Sequence, residues 1–120
     1  MLKFDHLRIP VRDLARSRAW YVEALGMTVE FEMAERGTVA LQDTADFTIF
    51  LQQAEPGEAL GGCAMWFQVD DVDAAFASWS ARGVRFAHEP RKNFWGYGAE
   101  LTDPDGRPIR LWDEHSMKGR

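Results

Sequence analysis

Residues 9–14, with the sequence IPVRDL, and residues 67–72, with the sequence FQVDDV, follow one pattern at an offset of 58 residues. In each stretch a strand-like run leads into an aspartate, and apolar residues at helical spacing come next. Asp13 and Asp71 are of a residue type that favours the N-cap position of a helix. The chain is therefore predicted to contain one structural unit twice.

Each repeat is predicted to place a helix directly after its aspartate. The predicted helices cover residues 14–25 and 72–82, and a glycine able to adopt a positive φ, Gly26 or Gly83, follows each of them. Strands are predicted before the helices at residues 4–11 and 63–69, and after them at residues 27–33, 38–42, 47–53, 84–88, 98–102 and 107–113. Both halves thus have the order strand, helix, strand, strand, strand.

The repeat also predicts the domain organisation. Residues 1–120 are expected to form one domain with two βαβββ modules, 1–54 and 62–113, a linker, 55–61, and a polar tail, 114–120. One helix covers only one face of a four-stranded sheet. The predicted fold class is therefore α+β, with paired βαβββ modules that form a cupped, mostly antiparallel sheet with a central cleft.

Composition excludes several classes of protein. Hydrophobic residues make up 46% of the chain and charged residues 28%, as is usual for a globular domain. The net charge of −5 argues against binding nucleic acid, and no apolar run reaches the roughly 20 residues that span a membrane. The first residues lack the pattern of an export signal, and Cys63 is the single cysteine, so a cytoplasmic location is expected.

Charge is distributed unevenly along the chain. Residues 23–73 carry eleven acidic side chains and a single basic one, Arg36, whereas the rest carries thirteen basic and eight acidic residues. Two interpretations stay open: a solvated face that keeps the protein soluble, or an acidic wall that faces a cationic ligand.

The repeated pattern resembles the vicinal oxygen chelate superfamily, the group of glyoxalase I, bleomycin-resistance proteins and extradiol dioxygenases. The resemblance spans residues 4–114 and is carried by residues 5–7 (DHL), 9–14, 20–26 (WYVEALG) and 103–106 (DPDG). It implies paired βαβββ modules around a ligand cleft. It also implies a homodimer, since members of this length usually pair.

The resemblance also implies where a metal would bind. In the metal-dependent families the ligands come from the first and last strands of each module, and the matching positions here are His6, Phe50, Ala64 and Arg110. Phenyl and methyl groups offer no donor, and a guanidinium repels a cation. We therefore expect neither a metal nor another cofactor. The alternative is an atypical metal site that recruits Gln52, Gln68 or Glu100.

Side chains alternate along a strand, so residues at even steps from those positions are expected to line the cleft. The predicted ligand-binding residues are His6, Arg8, Phe50, Gln52, Trp66, Gln68, Trp95, Arg110 and Trp112. Aromatic rings suit a planar ligand, and Arg110 suits a carboxylate or phosphate. Two structural alternatives stay open: His6 as a hydrogen-bonded structural residue, and Arg110 in an ion pair with Glu100.

These residues favour a metal-free protein that binds a small aromatic or amphipathic molecule and acts by sequestration, without a nucleic-acid or membrane partner. The alternative is an enzyme, namely a lyase, isomerase or dioxygenase with an atypical metal site or with His6 as general base. In the enzyme, Arg110 would stabilise an enolate or a carboxylate, so His6 and Arg110 are the catalytic candidates.

Overall fold

The structure, a computed structural model, describes residues 1–118. The chain divides into two compact units, one ending at Gly61 and the other beginning at Gly62. The elements of the first unit are β1 (Leu7–Val11), α1 (Leu14–Glu23), β2 (Thr28–Met33), a 3-10 helix (Ala34–Arg36), β3 (Thr38–Gln42) and β4 (Thr48–Gln53). Those of the second unit are β5 (Met65–Gln68), α2 (Val72–Ala81), β6 (His88–Asn93), β7 (Gly96–Thr102), β8 (Pro108–Trp112) and α3 (Glu114–Lys118).

Each unit contains one four-stranded sheet, and the two sheets have equivalent strand orders. The first has the order β1-β4-β3-β2 and the second the order β5-β8-β7-β6. The pairs β1–β4 and β5–β8 are parallel, and the other pairs are antiparallel. The prediction of an α+β fold with two βαβββ modules is confirmed.

The local signals that predicted the helices act as expected. The Asp13 carboxylate accepts a hydrogen bond from the Arg16 N–H at 3.1 Å, and the Asp71 carboxylate accepts one from the Ala74 N–H at 2.8 Å. Gly83 follows α2 with a φ of 93°, in the left-handed region that favours glycine. A side-chain N-cap of this kind contributes about 1 kcal/mol to helix stability.

A buried carboxylate joins the second unit's two helices to β8. Asp113, which directly follows β8, accepts hydrogen bonds from the Val72 N–H at 2.6 Å and the Ser116 N–H at 2.7 Å. Burial raises the pKa of Asp113, but these hydrogen bonds outweigh it and the net pKa lies below the usual value. The start of α2 and the start of α3 are thus held by one ionised side chain.

Alternation along the strands gives each sheet one buried face. In the first unit this face is formed by Ile9, Val11, Val39, Leu41, Ile49 and Leu51, with Tyr21 from α1. In the second it is formed by Ala99, Leu101, Ile109 and Leu111, with Val72 from α2. The even-numbered residues of β1, β4, β5 and β8 occupy the opposite side, called the far face here.

One predicted strand is wrong. Residues 84–87 are not in a strand, and β6 begins at His88. The Phe86 ring lies 4.9 Å from the Phe76 ring and 6.1 Å from the Trp79 ring of α2, while the Val84 N–H donates to the Trp79 carbonyl at 3.0 Å. Val84 and Phe86 therefore contact α2, and pairing with β7 is limited to the Ala87 N–H, which donates to the Glu100 carbonyl at 2.7 Å.

Two further segments differ from the prediction. The stretch left between the strands predicted at residues 84–88 and 98–102 contains most of β6, which extends to Asn93, and a two-residue turn, Phe94–Trp95, before β7 begins at Gly96. The predicted tail contains α3, which forms where Asp113 accepts the Ser116 N–H. Among residues 1–118, none of the helices is long and apolar enough to cross a membrane.

Candidate functional site

In the first unit, the far face carries an aromatic stack at two of the family's metal positions. The His6 ring lies 3.7 Å from the Phe50 ring at an angle of 15°, and Phe31 contacts Phe50 edge-on at 5.5 Å. The His6 Nδ1 atom lies 2.7 Å from the Asp5 carboxylate. Because Asp5 is 88% exposed, solvent screens this contact.

Beside this stack, Arg8 and Gln52 belong to a polar network that includes the linker. Arg8 donates from Nη1 and Nη2 to the two carboxylate oxygens of Glu58, at 2.7 and 3.1 Å, and from Nε to the side-chain amide oxygen of Gln52. Gln52 in turn donates to the Thr38 hydroxyl at 3.1 Å. Arg8 and Gln52, two of the predicted ligand-binding residues, therefore form hydrogen bonds with other side chains of the protein.

The same network changes the acidity of Glu58. Its pKa is lowered from 4.5 to about 2, first by the hydrogen bond from Arg8 and then by the bond from the Glu55 N–H. Hydrogen bonding to Glu58 correspondingly raises the pKa of Arg8. The network therefore depends on an ionised carboxylate at position 58.

In the second unit, the far face carries an arginine between aromatic side chains. The Arg110 Cζ atom lies 4.6 Å from the centre of the Trp66 ring and 5.4 Å from that of Phe94. Its Nε donates to Glu100 at 2.7 Å, and Trp95 meets Trp66 edge-on at 6.1 Å. These five residues are called the aromatic–arginine cluster below.

Strand register and one turn explain how the sequence forms this cluster. Arg110 is the register partner of Trp66 across the β5–β8 pair and of Glu100 across the β7–β8 pair. Trp95 lies in the β6–β7 turn and folds back over Gly98, where a Cβ atom would come within 2.3 Å of the Trp95 ring. Gly98 thus allows the Trp95 ring to lie close to the backbone of β7.

Phe94 is the member of the cluster that the sequence prediction missed. Two-residue hairpin turns favour glycine, asparagine and aspartate, yet this one consists of Phe94 and Trp95. Two aromatic residues are thus unusual in so short a turn, but this becomes visible only once the strand limits are known. The ion pair between Arg110 and Glu100, one of the two open alternatives, is present.

The remaining predicted ligand-binding residues, Gln68 and Trp112, lie on β5 and β8, the strands that carry Trp66 and Arg110. Gln68 is exposed and donates to Glu114 of α3 at 3.1 Å, and Trp112 is its half-buried register partner. Ala64 is half-buried and immediately precedes β5. The structure therefore brings Trp66, Trp95 and Arg110 into one cluster. That all nine predicted residues bind ligand in one central cleft stays a prediction.

The residues at the family's metal positions do not fit a divalent metal ion. His6 is stacked on Phe50, Ala64 has no donor atom, and Arg110 is a cation already paired with Glu100. A divalent metal needs three or four N, O or S donors. Within the described part of the chain, no group of three or more His, Cys, Asp or Glu side chains could hold a metal ion.

Two βαβββ units with these strand orders define the class of the protein as the vicinal oxygen chelate fold. The chain belongs to the Glyoxalase/Bleomycin resistance protein/Dioxygenase superfamily, whose family model matches residues 3–111. The resemblance recognised in the sequence is thereby confirmed.

Three relatives illustrate the similarity. The uncharacterized protein YaeR of Escherichia coli (strain K12) is 30% identical over 125 residues, which cover 91% of this chain and 94% of YaeR. The crystal structure of a superfamily member from Sphaerobacter thermophilus DSM 20745 has a TM-score of 0.77 at 25% identity, covering 95% of this chain and 98% of that one. TnmS3, an antibiotic binding protein from Streptomyces sp. CB03234, has a TM-score of 0.74 at 28% identity, covering 94% and 96%.

Proposed function

We propose that this protein binds a small planar aromatic molecule at the aromatic–arginine cluster and sequesters it without chemical change. The observation that carries the proposal is the exposure of large rings around Arg110. Trp66 is 45% exposed and Phe94 is 88% exposed, although such side chains are usually buried. Rings of this kind, held beside a polar group, are typical of small-molecule sites.

Two further observations support binding over catalysis. Of the family's four metal positions, His6 alone offers a usual donor and its ring is stacked on Phe50, while Arg110 is in an ion pair, so the usual metal chemistry of the fold lacks its ligand set. TnmS3, which is similar over nearly its whole length, is an antibiotic binding protein. Both favour a protein that holds a small organic molecule.

The proposal is tested by a screen of planar aromatic compounds, followed by calorimetric titration. Replacing Trp66 with alanine should weaken binding of a hit about 30-fold, a typical loss of about 2 kcal/mol for an aromatic anchor. Trp20→Phe, in α1 of the first unit, is the control and should bind as the wild type does. Mass spectrometry should recover the compound unchanged, and a turnover product would contradict sequestration.

An enzyme with His6 as general base is the second candidate, favoured by the contact between His6 and Asp5 at 2.7 Å. A carboxylate at Nδ1 orients the imidazole and leaves Nε2 to accept a proton. Incubating each screened compound in D₂O tests this candidate by NMR. Deuterium exchange at an acidic C–H that is lost in His6→Ala would support catalysis, and absence of exchange would argue against it.

We also propose that the protein acts in the cytoplasm as a homodimer. A single cysteine, Cys63, suits a reducing compartment. Exposed aromatic side chains such as Phe4 and Phe47, which stack on each other at 5.6 Å, suit a protein interface. Cell fractionation tests the location, and light scattering tests the dimer.

A further inference from the structure

We infer that the ligand of the aromatic–arginine cluster is a planar aromatic anion, with its carboxylate on Arg110 and its ring against Trp66. The inference rests on the proposed function and adds the charge of the ligand. Three features of the cluster support an anion over a cation, and each concerns a group that the ligand would meet.

The first feature is that the ring faces already hold a cation. The Arg110 Cζ atom lies 4.6 Å from the Trp66 ring centre and 5.4 Å from the Phe94 ring centre. Aromatic faces attract cations through their negative quadrupole. A cationic ligand would have to compete with a guanidinium that is tethered in place, and an anionic ligand would not.

The second feature is that the Glu100 carboxylate is already paired with Arg110. Glu100 is the register partner of Arg110, and its Oε1 atom accepts the Arg110 Nε–H at 2.7 Å. Most of the negative charge of Glu100 is therefore compensated by its neighbour. A ligand ammonium or amidinium would find no unpaired carboxylate within the cluster.

The third feature is the free edge of Arg110. Within residues 1–118, the guanidinium makes its hydrogen bond through Nε, and neither Nη atom has a hydrogen-bond partner. The side chain keeps 15% of its surface exposed. The Nη donors form a planar fork that matches two carboxylate oxygens, so a bidentate contact is available to a ligand.

The acidic segment, residues 23–73, is the sequence feature that suggested a cationic ligand. Several of its carboxylates are engaged locally: Glu32 with Arg18 at 3.0 Å, Glu58 with Arg8 at 2.7 Å, and Asp73 with the Tyr97 hydroxyl at 2.6 Å. These contacts favour the interpretation of a solvated, paired surface over an acidic wall that selects cations.

Three probes of matched shape separate the charges: 2-naphthoate, 2-naphthamide and 2-naphthamidine, which are anionic, neutral and cationic at neutral pH. Each is titrated into the wild-type chain by calorimetry at fixed ionic strength. We expect 2-naphthoate to bind at least tenfold more tightly than 2-naphthamide, and 2-naphthamidine to bind most weakly. On NMR, 2-naphthoate should shift the indole N–H signal of Trp66.

Three variants assign the preference to its side chains. In Arg110→Gln the tenfold preference for 2-naphthoate should disappear. In Glu100→Gln the affinity for 2-naphthoate should rise severalfold, because a competing carboxylate is removed. Arg82→Gln is the matched control, since the Arg82 Cζ atom also lies over a tryptophan, 5.8 Å from the Trp79 ring centre in the same unit. It should leave the affinities unchanged.

The outcomes distinguish this inference from the proposed function. Equal affinity for the three probes, or tightest binding of 2-naphthamidine, would overturn the inference and leave aromatic binding standing. Failure of all three to bind or to shift the Trp66 signal would overturn both. Because the wild-type titrations decide these cases, a variant that fails to fold does not affect the result.

Discussion

Trp66 and Arg110 are register partners on β5 and β8, and the Arg110 Cζ atom lies 4.6 Å from the Trp66 ring centre. The equivalent register partners on β1 and β4 are Arg8 and Phe50. The repeat thus places a basic and an aromatic residue side by side twice, with their strands exchanged. In the first unit, however, the arginine contacts Glu58 and the ring contacts His6.

This difference shows why the two units offer different chemistry on equivalent backbones. In the first unit, the Arg8 guanidinium donates through Nη1 and Nη2 to Glu58 of the linker and through Nε to the Gln52 side chain of β4. In the second unit, as far as residue 118, the Arg110 guanidinium donates through Nε alone, and the rings of Trp66 and Phe94 beside it are exposed. The proposed ligand, which needs a guanidinium edge and a ring, is therefore expected to bind at the second unit.

The first prediction concerns metal content. Because His6 is the one usual metal donor among the four family positions, purified untagged protein should contain no stoichiometric Zn, Ni, Mn or Fe by elemental analysis. The His6→Ala variant should have the same metal content as the wild type. Added metal should leave the thermal stability of both proteins unchanged. About one ion per chain in the wild type, lost in His6→Ala, would contradict this prediction.

The second prediction concerns pH. The pKa of Glu58 is lowered to about 2 by Arg8 and the Glu55 N–H, so its ionised form stabilises the folded chain above the usual value of 4.5. That contribution should be lost as the pH falls from 4.5 towards 2. Denaturant titrations of the wild type and Glu58→Gln should therefore differ at pH 6 and converge near pH 2.

The effect should also depend on salt. Arg8 is 43% exposed, so added salt screens its attraction to Glu58 and should reduce the difference at pH 6. Glu35→Gln, at an exposed position in the 3-10 helix, provides the control and should follow the wild type at every pH. A constant difference between Glu58→Gln and the wild type from pH 6 to pH 2 would count against the linkage.

Much of the fold could be predicted because its signals are local. Asp13 and Asp71 bond to backbone within their own first turns, and the glycines after the helices act at single positions. Strand parity likewise predicted that Trp66 and Arg110 share a face. Such features depend on neighbouring residues in the sequence or on the period of a strand, and both can be read from a single chain.

The features that were missed depend on contacts between distant residues. Val84 and Phe86 are apolar whether their segment pairs in a sheet or packs on α2, and the position of Phe76 and Trp79 decides between the two. The engagement of Arg8 by Glu58 joins residues 50 positions apart. Periodicity carries no information on such partners, so the linker's role at the far face could not be foreseen.

The third prediction concerns assembly. Phe4 is 63% exposed and Phe47 is 41% exposed, and their rings stack at 5.6 Å. Burial of such a pair between two copies would contribute to a homodimer through the hydrophobic effect. Light scattering at micromolar concentration should give the mass of a dimer, and Phe4→Ser with Phe47→Ser should shift the mass towards that of a monomer. A monomeric wild type would contradict this prediction.

The last prediction concerns Asp113, whose buried carboxylate accepts the Val72 N–H at 2.6 Å and the Ser116 N–H at 2.7 Å. Replacing it with alanine leaves two N–H groups at helix starts without their acceptor, which should cost about 2 kcal/mol in the free energy of unfolding. Asp113→Asn keeps one acceptor oxygen and should cost less. Because hydrogen bonding holds the pKa of Asp113 below its usual value of 3.8, the difference between wild type and Asp113→Ala should persist at neutral pH and shrink as the pH falls below 3.8. Denaturant titrations at pH 7 and pH 3 measure both effects, and an alanine variant as stable as the wild type at pH 7 would show that water replaces this carboxylate without loss.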